Sequence, residues 1–362
     1  MKFNSLKYIP CLRWKQGEYQ GLYKLSAITK DLIKPLIEVA EIGYDFESRT
    51  PAKTIDVHLN LFAKRVKDKW GKKECFVDMR LILASGLMAN GQHPGSFIFD
   101  DLGARGVLAT PVIGMILDPQ FHAAIQQVVT RDGRGLCLRI NIEEVVKPSF
   151  DNSVQNLINN LGVDIEQCDF IIDLGAPNFE PIDGFANLLV NIIKNLPNLE
   201  LWRSFGIIGT SFPPSLSGLK FGTTIIPRNE WHLYNVLIGN LRKLGKRVPS
   251  FGDYAINHPD ILTVDMRFVK PSANVRYTIN NKWLIAKGQN VRDYGYGQYK
   301  DLCCSIVESE YYCGQQFSKG DEYIYACAHD EEPTGNLSTW RWVGTNHHIE
   351  IVARDVAKLA AS

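Results

Sequence analysis

Glu38, Asp78 and Asp173 are carboxylates placed at the ends of otherwise apolar, strand-like runs, and basic residues occupy the same kind of position elsewhere in the chain. Arg13 and Lys15 close the run KYIPCLRWK, Arg80 follows Asp78 in ECFVDMRLI, Arg139 and Asn141 lie late in GLCLRINI, and Asp253 lies in VPSFGDYAI. Thr210 and Ser211 follow LELWRSFGIIG. Charge at the end of a buried strand is costly unless it is paired or binds something. Alternate residues of a strand share a face, so Arg13/Lys15, Asp78/Arg80 and Arg139/Asn141 each project as a pair. Guanidinium groups suit phosphate because they donate in a two-pronged fork. Carboxylates serve as general acid and base, or hold a divalent cation such as Mg2+, the cofactor this set would use. The combination points to phosphoryl or phosphodiester hydrolysis, and the expected ligand is an anionic, phosphate-containing small molecule. Glu38, Asp78, Asp173 and His347 are the catalytic candidates. Arg13, Lys15, Arg80, Arg139, Asn141, Asp253 and Arg341 are the ligand-binding ones.

His347 and His348, in GTNHHI, lie at the predicted start of a terminal helix capped by Thr345 or Asn346. There the helix dipole disfavours the protonated imidazole, and neutral histidine is a base or a ligand. Each candidate also has a structural reading. Glu38, Asp78 and Asp173 can neutralise Arg80 and Arg139 in a buried ion-pair network. Arg13 and Lys15 can be solvated at a strand end, Asp253 can fix a turn, and the histidines can be surface or capping residues. The case for a site rests on the set, because charge recurs on at least five strand ends.

Positioning such residues in one place requires a closed architecture. Eight β-rich runs start between residues 7 and 248, at intervals of about 34 residues, the length of a β-α unit. Helical stripes separate them: Ile55, Leu59, Phe62, Val66 and Trp70 form one, and Trp231, Tyr234, Leu237, Ile238, Leu241 and Leu244 another. Strands joined through helices pair in parallel, and eight units over 1–256 predict an α/β fold, a TIM-like (β/α)8 barrel with its active site at the C-terminal ends of the strands. The third unit is the weakest, because LASGLMANGQHPGSF is rich in helix breakers. An open doubly wound sheet is the rival, but no G-x-G-x-x-G follows the first strand.

Residues 257–362 change rhythm and predict an α+β appendage packed on the barrel. VRYTINNKWLIAKG reads as a hairpin turning at Asn280-Asn281, LCCSIVES as a helix, and DEYIYACA and TWRWVG as strands. The aromatics of WRW, with Tyr294, Tyr296 and Tyr299, suit either core packing or a stacking platform for bases.

Composition excludes several classes. The chain has 362 residues, 45% hydrophobic and 22% charged, with 40 Lys and Arg against 39 Asp and Glu. A net charge of +1 argues against attachment to nucleic acid or membrane through bulk charge, leaving nucleic acid as a partner only through a local basic patch. The chain carries no apolar run long enough to span a bilayer and no signal-peptide core, so a cytoplasmic location without membrane attachment is expected. Its eight cysteines form no C-x-x-C pair, against a zinc site and a disulfide scaffold. Serine-hydrolase elbows and Walker loops are absent as well.

The segments YIPCLRWKQGEYQGL, IKPLIEV, VDMRLI, FGDYA, KGDEYI and WRWVGTNHHI together resemble the beta protein family, named from a T-even phage protein, over residues 7 to 355. The resemblance implies a phage or bacterial setting, including phage–host conflict, and brings no established activity. It keeps open a non-catalytic alternative, in which the appendage, through Trp340 and Arg341, recognises a phage component, a host protein or nucleic acid.

Overall fold

A computed structural model describes residues 6–115, 118–260 and 267–361. Its parallel barrel is built from β1 (Ile9–Arg13), β2 (Leu36–Glu38), β3 (Glu74–Asp78), β4 (Leu108–Ile113), β5 (Leu136–Asn141), β6 (Cys168–Asp173), β7 (Ser204–Ile208) and, after an outlying strand β8 (Gly222–Pro227), β9 (Ser250–Asp253). Each barrel strand pairs with its neighbours in chain order and β9 closes on β1, so the ring is complete. The open-sheet alternative is therefore excluded. Cys11, Leu36, Phe76, Val112, Cys137 and Ile171 fill the interior, and they set the parity that decides which strand residues point inward.

Around the ring run α1 (Gln16–Tyr23), α2 (Ala27–Leu32), α3 (Phe62–Lys69), α4 (Pro94–Ala104), α5 (Pro119–Asp132), α6 (Phe150–Leu161), α7 (Ile182–Lys194) and α8 (Asn229–Lys243). Val66, Phe99, Ile125, Ile158, Ile193 and Leu237 are buried between helices and strands, as the apolar stripes require. The glycine-rich third unit still supplies a helix, α4. Its start is fixed by Pro94 in the first turn and by the His93 ring, whose Nδ1 accepts from the Gly95 N–H at 2.9 Å.

The appendage holds a three-stranded antiparallel sheet, β8 against β11 (Lys282–Asn290) against β10 (Ser272–Ile279). The hairpin turns at Asn280, whose φ of 39° asparagine tolerates. Lys287 in β11 is buried and donates to the carbonyls of Leu216 (2.8 Å), Ser217 (3.1 Å) and Leu219 (2.7 Å), which ties down the segment before β8. The appendage also holds the longer helices α9 (Tyr299–Val307), α10 (Lys319–Ala328) and α11 (Leu337–Ala361).

Two predicted strands are helices. DEYIYACA lies in α10, where Ser318 caps the first turn by accepting from the Asp321 N–H at 3.0 Å. TWRWVG opens α11, in which Trp340, Val343, Gly344 and His347 are buried at helical spacing. Aromatic and β-branched content favours strands, but here the surrounding packing, which buries α11 on every side from Val343 to Glu350, prevails over that preference. Trp340 stacks on Tyr299 at 4.6 Å and both are buried, so for this pair core packing is the reading that holds. Among the described residues, no helix is long and apolar enough to cross a membrane.

Candidate functional site

The inward parity of the barrel carries Glu38, Asp78, Arg139 and Asp173 to one level at the C-terminal end of the ring. Arg13, Glu38 and Asp78 lie side by side in the registers of β1, β2 and β3. Arg139 stands at the centre, with its side chain 2% exposed. Its Nη1 donates to Glu38 Oε1 and to Asp78 Oδ2, both at 2.8 Å, its Nε to Asp173 Oδ2 at 2.9 Å, and its Nη2 to the Tyr254 hydroxyl at 2.8 Å. The Tyr254 hydroxyl in turn lies 2.8 Å from both Asp173 carboxylate oxygens. Arg80 covers the same carboxylates from the solvent side. Its Nη2 lies 2.6 Å from Glu38 Oε1 and its Nη1 3.3 Å from Asp173 Oδ2, and its side chain is 36% exposed. The three carboxylates are thus held between a buried guanidinium below and an accessible one above.

Burial alone would raise the Glu38 carboxyl, but Arg139 and Arg80 outweigh it and bring the group down to about 2. Burial also opposes the charge of Arg139, and its anionic surroundings reverse that effect, so it remains protonated. Desolvation pushes the Tyr254 hydroxyl well above the usual tyrosine range. Beside the network opens a cleft of about 290 Å³, lined among others by Asp78, Arg80, Arg139, Asn141, Glu144 and Asp173. Asn141 caps the helical turn Ile142–Val145 through its side-chain oxygen, 2.9 Å from the Glu144 N–H.

The expected divalent cation does not fit this donor set. A hard cation needs several free oxygens turned on one point, whereas here carboxylate oxygens of all three residues are engaged by guanidinium. Among the described residues, no group of three or more His, Cys, Asp and Glu side chains is arranged to hold a metal ion.

Four predicted residues lie elsewhere. Lys15 is exposed and pairs with Glu41 at the rim. Asp253 has the opposite parity to Tyr254 and points behind the barrel, where it accepts from the Tyr8 hydroxyl (2.5 Å) and His348 Nε2 (2.9 Å) and lies 3.5 Å from Arg228 Nη2. His347 is fully buried and sits well inside α11, which begins ten residues earlier at Leu337, so no helix start acts on it. Its Nδ1 is 2.8 Å from Asp321 Oδ2 and its Nε2 2.8 Å from the Thr278 carbonyl. Both ring nitrogens are therefore occupied by structural partners inside the appendage, and the side chain does not reach the mouth. The Thr278 hydroxyl meets His348 Nδ1 at 2.7 Å, so one residue of β10 holds both histidines. Arg341 lies on α11 beside the mouth and donates to Asn257 Oδ1.

That last contact leads to a residue the sequence did not flag. Glu18, in the first turn of α1, is 5% exposed, and its Oε1 accepts from Asn257 Nδ2 at 2.8 Å. Its Oε2 has no hydrogen-bond partner among the described residues. Burial pushes the carboxyl up to about 8, against the pull of Arg341 and Arg13, and Glu38 adds to the rise. Arg13 acts on both acids, its Nε lying 3.8 Å from Glu38 Oε2. The available signal was Gly17. A Cβ there would sit 2.5 Å from Arg341 Cβ, marking close packing of α1 on α11 around its neighbour. Tyr254 was missed for a simpler reason, since it is the inward residue one place after the aspartate that drew attention.

A sequence model of the family described as Beta protein matches residues 8–354. The chain belongs to the beta protein family. No curated protein matches it. The family match spans every strand of the barrel and every residue of the mouth described above, as well as the histidine pair of α11.

Proposed function

We propose that the barrel mouth of this beta-family protein is an acid–base site acting on a small phosphate-containing ligand. The observation that carries the reading is the split between two carboxyls that share Arg13 as a neighbour: Glu38 is held down to about 2 and Glu18 is pushed up to about 8. Pairs of acids driven apart by their surroundings are how one site keeps a proton donor and a fixed anion at neutral pH. In this reading Arg80 leaves the carboxylates to receive the phosphate, its guanidinium being both accessible and forked. Arg139, clamped by Glu38, Asp78 and Asp173, keeps the ring in shape while Arg80 moves. Glu18 supplies the proton to the departing oxygen, and the reaction is hydrolysis of a phosphate ester: water adds to phosphorus as the P–O bond to the leaving group breaks, and the proton it releases passes to solvent, from which Glu18 is protonated again. The phage and bacterial setting implied by the family directs the search for the natural ligand to phage–host conflict.

The test is a colorimetric assay of bis(p-nitrophenyl) phosphate and p-nitrophenyl phosphate, with calorimetry of inorganic phosphate binding. Turnover is expected to fall above about pH 8, as Glu18 loses its proton, and Glu18→Gln and Arg80→Ala are each expected to lower it by about a hundredfold or more. Arg80→Ala should weaken phosphate binding while Glu18→Gln leaves it in place. Wild-type protein that neither binds phosphate nor cleaves either ester would overturn the proposal.

A further inference from the structure

The opposite end of the barrel carries a cluster that the mouth does not use. Lys7 precedes β1, Lys30 and Asp31 precede β2, and Lys73 immediately precedes β3, so all four lie where strands begin. Helix α1 ends at the same level in Tyr23, and α3 ends there in Lys69. Tyr23 is 48% exposed. Lys69 Nζ stands 4.4 Å and Lys30 Nζ 5.6 Å from the centre of its ring. Partial burial, and then the charge of Lys73, lower the Lys30 pKa, so these ammonium groups are held close enough to repel. Asp31 is the acid among them; it bonds Lys73 and lies in the field of Lys7.

The local sequence concentrates charge in the same way. From Lys64 to Lys73 the cations are Lys64, Arg65, Lys67, Lys69, Lys72 and Lys73, with Asp68 as the acid, in a chain of net charge +1. Lysines at the end of α3 complement its dipole, which accounts for Lys67 and Lys69. The dipole does not act on Lys30, which comes from another element and is held at the ring by donating its Nζ to the Tyr23 carbonyl at 2.8 Å, while Lys73 and Lys7 gather around the adjacent Asp31. An aromatic face among ammonium groups is the arrangement that takes a base on the ring and phosphates on the cations.

We infer that this rim, formed by Tyr23 with Lys7, Lys30, Lys69 and Lys73, is a binding surface for single-stranded nucleic acid. The base takes the place that the Lys69 ammonium holds over the Tyr23 ring, and the displaced ammonium and the other lysines pair with the flanking phosphates. Net charge near zero conceals the surface, because its cations are balanced by acids elsewhere on the molecule.

The test is fluorescence anisotropy of a labelled oligothymidylate of about 20 nucleotides with the full chain, over a salt series starting near 50 mM. Wild-type protein should bind, and its affinity should fall steeply with salt. Lys30→Glu with Lys69→Glu should weaken binding at least about tenfold and flatten the salt slope by about 1.4, the loss of two single-strand phosphate contacts. Tyr23→Ala should weaken oligothymidylate binding by about fivefold or more and leave binding of inorganic polyphosphate unchanged. Circular dichroism verifies the fold of each variant, and Lys69→Gln serves as the milder substitution. The inference is overturned if wild-type protein fails to bind at the lowest salt or if charge reversal changes nothing. It is equally overturned if Tyr23→Ala is silent, which leaves a general polyanion surface, or if vesicles of phosphatidylserine capture the protein while the oligonucleotide does not.

Discussion

Asp253 and Tyr254 are consecutive residues that serve opposite sides of one strand end. Tyr254 turns inward to Arg139 and Asp173, whereas Asp253 turns outward to Tyr8, His348 and Arg228. The outward network joins the barrel to α8 and α11, and the inward one shapes the mouth. Damage to each is therefore separable.

Asp253→Asn leaves the buried Arg228 without its anion on that side, and loss of one partner of a buried pair costs about 3 kcal/mol or more. Tyr254→Phe removes a hydroxyl hydrogen-bonded within the network and costs about 1 kcal/mol. Guanidinium denaturation of both variants should therefore show a much larger loss for Asp253→Asn, while phosphate binding suffers more in Tyr254→Phe. Equal stabilities for the two variants would contradict the division.

Glu38 makes stability depend on acid. Its folded carboxyl titrates below its unfolded one, so the unfolded chain takes up the proton first. The contribution is complete above about pH 4.5 and is lost as pH falls toward 2; a shift of that size corresponds to about 3 kcal/mol. Between pH 5 and pH 3 the wild-type unfolding free energy should drop more steeply than that of Glu38→Gln. Parallel curves would remove Glu38 as the cause.

Glu18 acts with the opposite sign. Its folded carboxyl holds a proton up to about pH 8, well above the unfolded value, so its contribution is whole at about pH 4.5 and declines as pH rises to 8. Glu18→Gln fixes the neutral form and should gain stability relative to wild type between pH 5 and pH 8, measured by urea denaturation at several pH values. A constant difference across that window would show that Glu18 is ionised throughout.

The barrel was legible because β-rich runs recur at the spacing of β-α units, and Glu38, Asp78, Arg139 and Asp173 were legible because charge inside an apolar strand stands out. Asp253 stands out equally and faces the other way, since a shift of one residue exchanges the two faces of a strand and composition does not reveal the parity. His347 was misplaced because the aromatic run before it reads as a strand, which moves the apparent helix start ten residues downstream of Leu337. Glu18 gave no such signal. It lies on a helix between Gly17 and Tyr19, an ordinary place for a glutamate, and only the packing of α11 over α1 buries it.

Strand β8 lies in the chain between barrel strands β7 and β9, yet its neighbour in the sheet is β11, more than fifty residues further on. The smaller part of the molecule is therefore stitched through the larger one and cannot be exchanged as a cassette. A recombination joint placed just after the barrel would deliver a new C-terminal half whose outer strand has to be supplied by the recipient. Diversification of this architecture is consequently confined to loops and surfaces, with both halves inherited together.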